Sequence, residues 1–226
     1  KAKGLAEETG DLYWRAMSAS ELGYVHGDNY SSEEELSCVL EAFGLFGQYG
    51  DREHVNLTRL NLALAYHNNC LFEKADSVYE ILCSQQDTLY EAFMWRQKNE
   101  VDRPSSEFSK AIEYFETAYN HDVNISLESY YDYAYSLVSA GRNEEAHSLL
   151  TQLEGYPDDY NANYSRYRIA MKEGDWHEAA IRLDKYAHQS DSVVARQLSQ
   201  SVFKAQSNQL RYESEAEKSR HRITVM

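Results

Sequence analysis

Four alanines, Ala75, Ala111, Ala146 and Ala179, recur along the chain at spacings of 36, 35 and 33 residues. Each is followed four residues later by a large side chain, Tyr79, Phe115, Leu150 or Leu183, and seven residues later by Leu82, Ala118, Leu153 or Tyr186. Offsets of four and seven fall on one face of an α-helix. A small side chain there lets two antiparallel helices approach closely, and the bulky residue one turn later fills the groove beside it. A single hairpin cannot bury such a face, whereas hairpins stacked side by side share a continuous core. The period therefore predicts an all-α chain built from repeated helical hairpins. Two prolines and ten glycines in 226 residues, with no strand-like alternation, agree with that class.

Punctuation follows the same period. Gly10-Asp11 and Gly50-Asp51 stand 40 residues apart, and Leu22-Gly23 and His26 match Leu62-Ala63 and Tyr66 at the same offset. Gly10, Gly50, Gly141 and Gly174 fall where helices should end in a left-handed turn, and Asp11, Asp51 and Asp175 follow as caps for the next helix. Ser32-x-x-Glu35 reads as a capping box, and Pro104 and Pro157 as first-turn residues. The unit from Leu89 to Ala118 lacks the first-helix pattern and carries an extra polar stretch from Asn99 to Arg103. After Ala187 the period gives way to a narrow stripe of Val194, Leu198, Val202 and Ala205. Residues 1–188 are thus expected to form the array, and 189–226 a long C-terminal helix serving as a cap or stalk.

The run Leu62-Ala63, Tyr66, Ala75, Tyr79 and Leu82 resembles the tetratricopeptide repeat signature. Tyr130, Tyr133-Ala134, Leu137, Gly141, Ala146, Leu150 and Leu153 match it again, and Tyr167, Ala170, Gly174, Ala179, Leu183 and Tyr186 form a third copy with Arg166 at the leucine position. The resemblance spans about residues 11–188, with two good copies and three degraded ones. It implies a right-handed superhelix of about five antiparallel helix pairs whose first helices line a concave groove. It further implies a non-enzymatic module that binds a protein or peptide there. The long early repeats with Gly-Asp junctions look like arrays of Bacteroidetes membrane-linked signalling proteins. That likeness implies the sensory part of a larger bacterial signalling or transcription-regulating protein, on the extracytoplasmic, periplasmic side of a membrane. A free-standing cytoplasmic scaffold or peptide receptor is the alternative.

Carried over residue by residue, the groove-facing positions are Met17, Ser20 and Tyr24; Leu60, Leu64, His67 and Asn68; Tyr131, Tyr135 and Val138; and Tyr164, Arg168 and Lys172. Tyrosine is abundant, with 19 residues. A tyrosine-lined groove ending in two cations suits an extended peptide or partner helix. The same tyrosines also suit packing between hairpins with their hydroxyls in water. The lysine and asparagine pattern by which some tetratricopeptide domains clamp a C-terminal carboxylate is not matched.

Charge and motif content narrow the classes further. With 22 Lys+Arg against 37 Asp+Glu, a net charge of −15 disfavours binding to a nucleic-acid backbone. No run of about 18 apolar residues is present, so no membrane insertion by this segment is expected. A start at Lys1, with the helical pattern already under way, suggests an excised fragment, and a membrane helix after Met226 is an expectation of the sensor reading. Cys38, Cys70 and Cys83 form no CxxC pair, so neither a disulfide framework nor a zinc site is indicated. There is no glycine-rich phosphate loop, nucleophile elbow or H-E-x-x-H pair, and no cofactor or catalytic residue is expected.

Overall fold

A computed structural model describes residues 10–28, 32–50, 52–84 and 89–192, together with Gly4, Ala6, Glu8 and Ala195. The described backbone is all-helical and divides into two compact units, Lys1–Tyr186 and Ala187–Met226. In the first unit the helices are α1 (Leu12–Asp28), α2 (Ser32–Tyr49), α3 (Arg52–Asn68), α4 (Phe72–Ser84), α5 (Glu91–Asp102), α6 (Phe108–Tyr119), α7 (Leu127–Ser139), α8 (Asn143–Gln152) and α9 (Tyr160–Glu173), followed by a helical stretch over 176–186. Each helix packs on its sequence neighbour, and the first helices of successive pairs touch as well: α3 on α5, α5 on α7, and α7 on α9. This is the packing of an all-α repeat array. In the second unit, 187–192 is helical, and the expected 189–226 helix lies almost entirely outside the described residues.

The alanine period occupies the helix contacts as expected. Ala75, Ala111, Ala146 and Ala179 are all buried, and Tyr79, Phe115 and Leu150 fill the adjoining space. Leu183, the fourth member of that second set, is 44% exposed. The core is a row of linked clusters: Ala63, Ala75, Tyr79 and Leu82 with Ala92 in one, and Ala134, Leu137, Ala146 and Leu150 with Ala162 and Ile169 in another. Gly23 performs the small-residue role in the first pair. A Cβ there would lie 2.8 Å from Val39 Cγ2, closer than α1 and α2 allow.

Several helix ends match the sequence reading. Asp11 Oδ1 accepts the amides of Tyr13 and Trp14 at 2.9 and 3.3 Å, and Asp175 Oδ1 accepts that of Glu178 at 3.0 Å. Gly141 and Gly174 take φ of 82° and 80°, a left-handed turn that a side chain would strain. Asp51 lies outside the described residues. Three expectations need correction. Pro104 and Pro157 lie in loops, because α6 begins only at Phe108 and α9 at Tyr160. Glu35 does not stay with its own helix start; its carboxylate accepts both contacts of Asn68 Nδ2, at 3.1 and 3.2 Å, and burial pushes its pKa up.

The third correction is the polar stretch from Asn99 to Arg103, which is not an extra piece beyond the repeat but the last turn and C-cap of α5. Asn99, Glu100 and Arg103 are buried. Glu100 Oε1 accepts the Glu107 amide at 2.6 Å, at the N-terminus of α6, while Oε2 accepts Arg103 Nη1 at 2.9 Å. Arg103 also pairs with Glu73 on α4. A buried ion pair therefore closes this hairpin.

Ala146→Trp should overpack the α7–α8 contact and lower the unfolding free energy by ~1–3 kcal/mol. Ser148→Trp, at an exposed position of the same helix, should leave the melting temperature nearly unchanged. Equal melting curves for the two variants would refute the assigned helix register.

Candidate functional site

Side chains about one repeat apart meet on the first helices. On α3, His67 Nδ1 lies 3.2 Å from Asn99 Oδ1 and Nε2 lies 3.3 Å from Asp102 Oδ2, so each ring nitrogen faces an oxygen acceptor on α5. Asn99 is held in that orientation because its Nδ2 donates to the Phe72 carbonyl at 3.2 Å. One turn back, Lys98 Nζ reaches Asp102 Oδ2 at 3.5 Å on its own helix, and Glu128 Oε1 at 2.9 Å and Asp132 Oδ2 at 4.0 Å on α7. Asp132 is 2% exposed, and its Oδ1 accepts Asn161 Nδ2 from α9 at 2.8 Å. A polar row thus links four successive hairpins. Sequence separations of 32, 30 and 29 residues between its partners are close to the repeat length.

The electrostatics of the row follow from burial and from its single lysine. Burial alone would push the Lys98 ammonium down, but Asp132, Asp102 and Glu128 together hold it well above the ordinary lysine value. Asp102 is partly buried, which opposes ionisation, yet the His67 hydrogen bond and Lys98 bring its pKa below the usual carboxylate value. Asp132 behaves oppositely. Its burial outweighs the attraction of Lys98, and with Asp102 and Glu128 nearby its pKa is pushed up to about 7. Tyr160, half-buried at the start of α9, is pushed up to about 12 by the loss of solvent around its hydroxyl.

A strip of half-buried aromatic rings adjoins the row. Tyr135, one turn beyond Asp132 on α7, packs at 5.5 Å on Phe108 and at 5.4 Å on Tyr164 of α9. Tyr164 in turn lies 5.2 Å from Tyr186 and 6.0 Å from Tyr167. Arg168 Nη1 donates to the Tyr164 hydroxyl at 3.0 Å. Arg182 and Arg166 meet at Asp158 Oδ2, at 2.7 and 3.0 Å, and Arg182 Nη1 also reaches Asn163 Oδ1 at 3.2 Å. These contacts tie the 176–186 stretch to α9.

The sequence-derived groove residues divide accordingly. Tyr135, Tyr164 and Arg168 form one cluster, and His67 belongs to the polar row. Asn68 is tied to Glu35 of α2. Leu60 packs against the core around Ala63 and Leu64 is half-buried. Tyr24 is 70% exposed on α1, and Lys172 is exposed in the last turn of α9. Tyr131 and Val138 depart from the expectation: both are buried in the core, and Tyr131, 1% exposed, donates its hydroxyl proton to the Pro157 carbonyl at 3.1 Å. Tyr131 is a fixed part of the α7–α9 contact because the loop carrying Pro157 closes over it. Met17 packs against the core of the first pair, and Ser20 is half-buried.

Lys98, Asn99, Asp102, Glu128, Asp132 and Asn161 were missed by the sequence reading. Their signal was the repeat of polar residues at roughly the hairpin length, with Lys98/Asp102 and Glu128/Asp132 each one turn apart on their helices. Among the described residues, no group of three or more His, Cys, Asp or Glu side chains is arranged to hold a metal ion, and no helix is long and apolar enough to cross a membrane. No protein-family model matches the chain, and no curated protein matches it.

Truncating Tyr131 to Ala should cost ~3–5 kcal/mol of stability, as for other large buried aromatics. Tyr24→Ala should change stability by less than ~0.5 kcal/mol. Chemical denaturation of both variants tests the assignment, and a mild Tyr131→Ala effect would return that ring to the groove.

Proposed function

We propose that the chain is a non-enzymatic module that binds a protein or peptide segment along its first helices, in the manner of a tetratricopeptide array. The supporting observation is the unbroken chain of side-chain contacts between the first helices α3, α5, α7 and α9, with the half-buried tyrosines of α7 and α9 beside it. Coiled as a right-handed superhelix, the array would turn these helices into the wall of a concave groove. Half-buried tyrosines offer large, rigid contact area with a polar hydroxyl at the tip, and polar side chains fixed by their neighbours lose little freedom on binding. The net charge of −15 favours a segment rich in Lys or Arg, by attraction during encounter as well as in the complex.

Such a module would serve as the sensory part of a larger bacterial signalling or transcription-regulating protein, or alternatively as a free-standing scaffold. The binding role is common to both.

A displayed library of random linear peptides, screened against the full chain, tests the reading. Enriched peptides should carry an excess of basic residues. Replacing Tyr135 and Tyr164 together with Ala should weaken them at least about tenfold, a loss of ~1.4 kcal/mol. Ile81→Ala, exposed on the second helix α4, should leave binding unchanged. Peptides insensitive to the tyrosine pair, or no enrichment at all, would contradict the proposal.

A further inference from the structure

Asp132 is the central member of the polar row, and its two oxygens are placed differently. Oδ1 accepts the side-chain amide of Asn161 at 2.8 Å, which leaves Oδ2 as the site for an added proton. Oδ2 is also the atom that faces Lys98 across the α5–α7 contact, at 4.0 Å, too far for a formed hydrogen bond. Lys98 meanwhile has two alternatives, Asp102 at 3.5 Å on its own helix and the exposed Glu128 at 2.9 Å. One buried carboxyl and one shared cation therefore sit where two hairpins meet, with the cation able to lean either way.

We propose that Asp132 and Lys98 form a proton-operated latch between the third and fourth hairpins. When Asp132 is ionised, Lys98 is drawn across to Oδ2 and ties α5 to the buried face of α7 as well as to the exposed Glu128. When Asp132 takes a proton from water on Oδ2, it no longer attracts the ammonium, and Lys98 is left with Asp102 on its own helix and with Glu128, so that α5 stays joined to α7 only through the exposed Glu128. The groups that set the balance come from every helix around it: Lys98 and Asp102 from α5, Glu128 from α7, and Asn161, Tyr160 and Asp159 from or beside α9. His67 of α3 acts one step away, through Asp102. The two carboxylates, Asp102 and Glu128, oppose ionisation of Asp132 while Lys98 favours it, and burial adds to the opposition. These terms place the transition near neutral pH. The latch is independent of what binds the array.

The sign of the linked stability is fixed by the direction of the shift. Asp132 has a native pKa above its unfolded value of 3.8, so between about 4 and 7 the native state holds a proton that the unfolded state has lost. Stability from this group is complete below about pH 4, declines as pH rises towards 7, and is constant above it. Asp102, shifted the other way, affects stability only at more acidic pH.

Carbon-detected NMR of the full chain reads the latch directly. The Asp132 carboxyl carbon should titrate with a midpoint near 7, and the backbone amides from Lys98 to Asp102 should move with the same midpoint. The unfolding equilibrium constant should rise by up to about tenfold per pH unit between pH 5 and 6.5. Asp132→Asn should abolish both effects. His67→Gln should preserve them, and it keeps the test decisive if Asp132→Asn does not fold. A midpoint near 4, amides that stay fixed while Asp132 titrates, or a transition lost in His67→Gln would each overturn the proposal.

Discussion

Close contact between helices at a small residue is the constraint from which the rest of this structure follows. At Ala75, Ala111 and Ala146 the neighbouring helix comes near enough that any larger side chain would have to displace it, and Tyr79, Phe115 and Leu150 occupy the space one turn further on. Because this contact recurs at nearly constant spacing, each hairpin packs on the next and the first helices of successive pairs touch. Residues one repeat apart in sequence are then neighbours in space. The polar row is a direct consequence: His67 meets Asn99, Lys98 meets Glu128, and Asp132 meets Asn161 because hairpin stacking carries each onto the next.

That row runs against the ordinary preference for apolar helix contacts. A carboxyl as buried as Asp132 resists ionisation, and the Asn161 amide and a shared lysine only partly compensate. A pair with one exposed member, such as Lys98–Glu128, contributes little by itself. The apolar clusters therefore carry stability, and the row adds specific side-chain contacts between successive first helices. The buried Glu100–Arg103 pair has a related local task, since Glu100 also caps the amide of Glu107 at the start of α6. An apolar residue at that position could pack but could not satisfy the helix end.

Fold class was legible because it depends on period and residue size, both of which a sequence displays openly. Ala63, Ala75, Leu82, Ala134 and Leu150 lie in the core where the repeat placed them. The third hairpin was obscured because its buried turn is made of Asn99, Glu100 and Arg103, residue types that read as an added polar stretch until their partners Phe72, Glu73 and Glu107 are known. The groove was only half legible for a similar reason. Tyr131 and Tyr135 are one helical turn apart and identical in type, yet one is sealed by the Pro157 carbonyl and the other lies half-buried against Phe108 and Tyr164. No spacing rule separates them, because the difference arises from a loop 26 residues away.

A double-mutant cycle between Asp132 and Asn161 tests most directly whether the hairpins are joined by side chains one repeat apart. Asp132→Ala, Asn161→Ala and the double variant would be compared by equilibrium unfolding at one pH. A buried, hydrogen-bonded pair predicts that the losses fail to add, with a coupling energy of ~1–3 kcal/mol. Additive losses, within about 0.3 kcal/mol, would mean that the two side chains do not meet and that the register joining α7 to α9 is wrong.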